Sequence, residues 1–97
     1  MREVEEQIVT FQVCYNAIKN NFTQQKYDLH YLKIKASNLL YATSNFKMNE
    51  NITFSRFDQE ELVKLLADIR KLISAIEKEI EIQSKEDYYR TNNDQIL

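Results

Sequence analysis

"NNFTQQ", residues 20–25, decides how this chain folds. Upstream of it, Val4, Ile8, Phe11, Tyr15, Ile18 and Phe22 step by four and three, which places them on one stripe of an amphipathic helix. Downstream the same phase runs on through Leu29, Leu32, Ala36, Leu39 and Phe46, with Gln25 and Thr43 as polar interruptions. A single helix from Arg2 to Phe46 is therefore conceivable. At about 1.5 Å per residue it would be over about 60 Å long, whereas a compact domain of this size has a radius of gyration of about 13 Å. Asn20 and Asn21 are weak helix formers, Thr23 suits the cap of a new helix, and the stripe loses its apolar member at Gln25. Compactness and these residues together predict a break, with helices over about 2–22 and 25–46.

The composition agrees. With 97 residues the chain suffices for one core and one domain. It contains neither glycine nor proline, the residues that tight turns, hairpins and phosphate-cradling loops usually require, so nearly all of it is expected to be helix. The formal net charge of −2 supplies no bulk attraction to nucleic acid or to anionic membrane. The single cysteine, Cys14, cannot form an internal disulfide, and "MREVEEQIVTFQ" carries acids where a secretory signal has a basic start, so a cytoplasmic location is expected. No stretch approaches the roughly 20 apolar residues of a membrane span. Two N-x-T sequons, at Asn21 and Asn51, carry no weight without export.

"ITFSRFDQEELVKLLADIRKL", residues 52–72, opens the third helix after the polar connection "KMNENITFSR". Asp58 suits an N-cap, Glu61 three residues on completes a capping box, and Phe57 can staple against Leu62 across the first turn. Leu62, Leu65, Leu66, Ile69, Leu72, Ile73, Ile76 and Ile80 then form a face broad enough for two neighbouring helices. This helix is expected over about 58–86, with residues 87–97 as a fraying tail. Each buried Leu or Ile contributes about 1.5 to 3 kcal/mol against chain entropy, enough to hold an all-α, compact antiparallel bundle of three long helices.

No pattern of reactive groups emerges. His30, the only histidine, lacks a companion Cys or carboxylate at metal-ligand spacing. Cys14 flanks the core stripe as a small apolar residue, and pairing it with His30 as nucleophile and base is too unspecific to support. Glu77, Glu79 and Glu81 alternate and so do not share one helix face. Tyr88, Tyr89 and Arg90 are residue types favoured at binding hot spots, placed where the apolar stripe has ended. No catalytic residue, cofactor or metal is expected.

"QKYDL" (25–29) and "NLLYATSNFKMNENITFSRFDQEELVKLLADI" (38–69) resemble the immunity proteins of pediocin-like bacteriocins, especially the enterocin A immunity branch. There a similar Gln-Lys-Tyr-acidic-Leu stretch precedes a helix containing Leu-Tyr, and a polar link leads through Ile-x-Phe-(Ser/Thr) to an aromatic residue and Gln-Glu-Glu-Leu. The corresponding residues here are Ile52, Phe54, Ser55, Phe57, Gln59, Glu60, Glu61 and Leu62. The likeness covers a little under half the chain. It departs from the pattern in lacking the later glycines and in an N-terminal helix that is shortened or lost, since the family usually forms a four-helix bundle.

The resemblance implies a protein of lactic acid bacteria or streptococci that gives cytoplasmic self-protection without enzymatic activity. Its implied partner is the bacteriocin-engaged mannose phosphotransferase permease, met at the inner face of the membrane without stable insertion, with pore formation blocked. The candidate partner-binding residues are Asp68, Arg70 and Lys71 with Tyr88, Tyr89 and Arg90, presented by a firmly capped final helix so that less ordering entropy is lost on binding. An alternative is an ESAT-6-like helical hairpin of a bacterial secretion system, with residues 2–46 as one arm and 58–86 as the other. The Trp-x-Gly turn and the C-terminal Tyr-x-x-x-Asp/Glu signal of those proteins are missing. A helix reversal near residues 20–27 would favour the immunity reading, and a straight helix the hairpin.

Overall fold

The computed structural model describes the backbone of residues 2–96 and the side chains of residues 3–86. Three helices follow one another: α1 (Arg2–Thr23), α2 (Leu29–Lys47) and α3 (Arg56–Ile96), with no strand among the described residues. The chain does reverse between α1 and α2, but the device differs from the expected one. Thr23 does not cap a new helix; it ends α1, and its hydroxyl donates back to the Lys19 carbonyl at 2.9 Å. Gln25 takes a left-handed conformation at φ 55°, with its N–H donating to the Phe22 carbonyl and the Lys26 N–H to that of Asn21. This paired bonding is the Schellman termination usually built on glycine, here built on glutamine.

Asp28 then caps α2. Its carboxylate accepts from the N–H groups of His30 at 2.8 Å and Tyr31 at 3.2 Å, so the second helix starts at Leu29 rather than near residue 25. A carboxylate satisfies two orphan donors there and complements the positive helix end.

The second connection also manages without glycine or proline. Asn49 accepts through its side chain from the Asn51 N–H and through its carbonyl from the Ile52 N–H, a turn held by asparagine. α3 begins at Arg56, two residues before the expected start. Ser55 is its cap: the hydroxyl accepts from the Asp58 N–H at 3.1 Å and the carbonyl from Gln59 at 3.0 Å. Asp58, expected as the cap, is therefore the third helical residue and is buried, while Glu61 lies one turn further in and closes no capping box. The staple differs too. Phe57 is 68% exposed, whereas Leu62 is fully buried and packs in a cluster with Val4 and Ile8, closed by Phe46, Ile52 and Phe54. Once the helix starts two residues earlier, Phe54 points into the bundle and Phe57 points out.

The apolar stripes meet as expected. Phe11, Ile18, Leu32, Ala36, Leu39, Leu65, Ile69, Leu72 and Ile76 form the main core, with Tyr15, Phe22, Leu29, Phe46, Ile73 and Ile80 packed against it. Phe46 joins this core to the end cluster through edge-on contacts with Phe11 at 5.6 Å and Phe54 at 5.3 Å. Thr43, the polar interruption of the α2 stripe, is completely buried.

Only part of the molecule is compact. Its extents are 65 × 21 × 16 Å and its radius of gyration is 17.7 Å, above the roughly 13 Å of a compact domain this size. The cause is α3, whose 41 residues correspond to about 60 Å, roughly twice the length of α1 or α2. Its packing ends near Ile80, and residues 81–86 are exposed. The expected stop near residue 86 does not occur: the backbone stays helical to Ile96, with no glycine or proline to end it. Lys85 and Glu81, 3.2 Å apart, add an exposed pair along this overhang. A fourth helix has no counterpart among the described residues.

Candidate functional site

Helix pitch sets Arg70 apart from the other residues of α3 that the sequence suggested as one binding side. At about 100° per residue, Arg70 lies roughly 160° around α3 from Asp68, whereas Lys71, three residues on, lies only about 60° from it on the same side. Arg70 and Lys71 are exposed, whereas Asp68 is half-buried in the seam between α1 and α3. Tyr88, Tyr89 and Arg90 lie outside the described side chains, on the overhang of α3.

The α1–α3 seam is a polar cleft of about 220 Å³ lined by Gln12, Tyr15, Asn16, Glu61, Lys64 and Asp68. Gln12 Nε2 donates to Glu61 Oε2 at 3.0 Å, so Glu61 ties α3 to α1. Burial pushes the Tyr15 phenol above its ordinary value, and the nearby Asp68 carboxylate pushes it further in the same direction. Both effects keep the phenol neutral, and the seam works as a structural clamp.

The other face of the molecule carries an apolar groove of about 490 Å³ between α1 and α2. Its floor includes Phe11, Ile18, Leu32 and Leu39, and its walls include Cys14, Ala17, Tyr31 and Ala42. Cys14 is exposed here. His30 lines a different, shallow depression with Lys33, Ile34, Ser37 and Asn38, so the two residues considered as nucleophile and base face different surfaces. Among the described residues no group of three or more His, Cys, Asp or Glu is placed to hold a metal ion. No described helix is long and apolar enough to cross a membrane. The groove was not anticipated. Its signal was the run of small residues beside the core stripe: Cys14 and Ala17 on α1 and Ala42 on α2 leave room where larger side chains would have closed the seam.

No family model, curated protein or solved structure matches this chain. The fold is that of an all-helical three-helix bundle with one overlong helix and two chemically distinct faces.

Proposed function

We propose that this chain is an immunity protein against a pediocin-like bacteriocin, acting on the bacteriocin-engaged mannose phosphotransferase permease to block the pore. The observation that carries the proposal is the reversal at residues 24–28. It splits residues 2–46 into two packed helices, which an export-type hairpin with one arm over that span does not do. The stretches that carry the resemblance also have defined work in the fold. Asp28 caps α2, Ile52 and Phe54 close one end of the bundle, and Ser55 starts α3.

In this reading the protein acts through its outer shape. The bundle holds α3 by its buried side as far as Ile80, so Arg70 and Lys71 are presented on a fixed helix at little ordering cost, and the helix runs on past the bundle to the sequence Tyr88, Tyr89, Arg90. The test is expression in a sensitive lactic-acid-bacterial or streptococcal strain challenged with a panel of pediocin-like peptides. Survival against one or two of them is expected. A chain lacking residues 88–97 is expected to stay helical and to lose protection. Sensitivity to every peptide, despite folded and abundant protein, would overturn the proposal; protection by the truncated chain would move the binding surface off the overhang.

A further inference from the structure

Charge is divided unevenly along the chain. Of its 13 basic and 15 acidic residues, residues 7–49 hold five lysines and one acid, Asp28, for a net of +4; the other eight bases and fourteen acids leave −6 for the remainder. The fold turns this into a division in space. α2 has no acidic residue at all, and its buried side, Leu32, Ala36, Leu39 and Thr43, faces the core it shares with the acidic α3. The opposite side of α2 faces outward, and between the exposed polar residues Ser37, Asn38 and Asn45 it carries large apolar ones. Ile34 is 60% exposed, Tyr41 72% and Met48 76%, at seven-residue steps that keep them on one line. Lys33 and Lys35 stand on either side of Ile34, and Lys35 lies over the Tyr31 ring at 5.5 Å from its centre.

From this arrangement we infer that the outer face of α2 is a docking surface for an anionic lipid bilayer. An aliphatic and aromatic line flanked by lysines is how helices lie in the plane of a membrane interface: the apolar line enters the headgroup region while lysine stems reach back to anionic lipid. The acidic α3 sits behind the core, so a negatively charged surface attracts the α2 side and repels the far side, which orients the whole molecule. Spread over the surface, these features are ordinary. Gathered on one face of a chain whose overall charge is negative, they define a direction.

The inference deepens the proposed function by naming the side on which the protein meets the membrane where its partner resides, and it rests on that reading only for its purpose. Vesicle binding is measured without bacteriocin or permease, so its failure is separable from a failure of protection. The full chain is co-sedimented with phosphatidylcholine vesicles with and without phosphatidylglycerol, at low and high salt. Binding is expected only with phosphatidylglycerol and is expected to fall as salt rises. Each lysine near an anionic surface strengthens binding about fivefold, so the K33E/K35E variant is expected to bind at least about 25-fold more weakly. Ile34→Glu is expected to weaken it further, while Val63→Glu, at an exposed position on α3, leaves it unchanged; circular dichroism verifies that each variant is folded. Equal binding to neutral and anionic vesicles would overturn the inference, as would no binding to either. So would loss of binding in V63E with K33E/K35E unaffected, or self-association of the chain that I34E abolishes while vesicle binding persists.

Discussion

Replacing Thr43 with valine is expected to make this protein more stable. Thr43 sits on the buried side of α2 with no exposed surface, and its hydroxyl has no hydrogen-bond partner among the described residues. An unpaired buried hydroxyl costs about 1–3 kcal/mol, because water contacts are lost and nothing replaces them. Valine keeps the β-branch, and so the restricted side-chain rotamer of the helix, while removing the polar atom. Thr43→Val is therefore expected to add about 1–2 kcal/mol to the unfolding free energy. For a domain of this size each kcal/mol corresponds to about 4–8 °C in the thermal midpoint. Urea unfolding followed by circular dichroism should show a higher midpoint with an unchanged slope, since the surface exposed on unfolding is the same. Thr43→Ser, which keeps the hydroxyl and deletes the buried methyl, should instead lose about 1 kcal/mol. If Thr43→Val is neutral or destabilising, the hydroxyl is bonded in solution and the reasoning fails.

Other expectations follow from the turns and the seam. Gln25→Gly should stabilise by about 0.5–1 kcal/mol in the same assay, because glycine reaches φ 55° without the steric cost of a Cβ, less its larger unfolded-state entropy. Ser55→Ala should cost about 1 kcal/mol through the lost cap. Phe54→Ala should cost about 2–4 kcal/mol because it opens the end cluster, whereas the exposed Phe57→Ala should stay within about 0.5 kcal/mol; the reverse order would restore Phe57 as the staple. Tyr15 is raised in the folded state, so it binds its proton more tightly there than when unfolded. Its stabilising share is complete below the ordinary tyrosine range and is lost as the pH climbs through the raised value. Tyr15→Phe should flatten part of the alkaline fall in stability, and a tyrosine absorbance titration in which Asp68→Asn lowers the latest-titrating phenol would confirm the second cause.

The resemblance stretches show how local sequence and tertiary context divide the work. Ser55, Phe57, Asp58 and Glu61 all belong to types that begin helices, so the presence of a helix start was legible. Which of them caps it was not, because Ser55 and Asp58 each satisfy the local rule, and the choice turned on whether Phe54 or Phe57 fills the gap beside Val4 and Ile8. Asp28 was legible in principle as an acid directly before the stripe resumes at Leu29, but Thr23 and Gln25 offered an earlier start. The α1–α2 groove depends on small residues from two helices facing each other, a relation that no single stretch displays.

The sequence by itself determined that this protein is helical and that its three apolar stripes would be buried, because helix periodicity and the lack of glycine and proline act through neighbours three and four residues apart. Those short-range rules say where a helix can exist and which side it hides. Only the tertiary structure decided where the helices stop and how far each outlasts its neighbours: α3 runs on past Ile80 after its packing ends, and Phe57 is left in solvent. It also decided that the lysines and exposed apolar residues of α2 share one outward face with the acidic helix behind them. Such outcomes depend on distances between segments far apart in the chain, which packing of the whole core fixes and local preference does not.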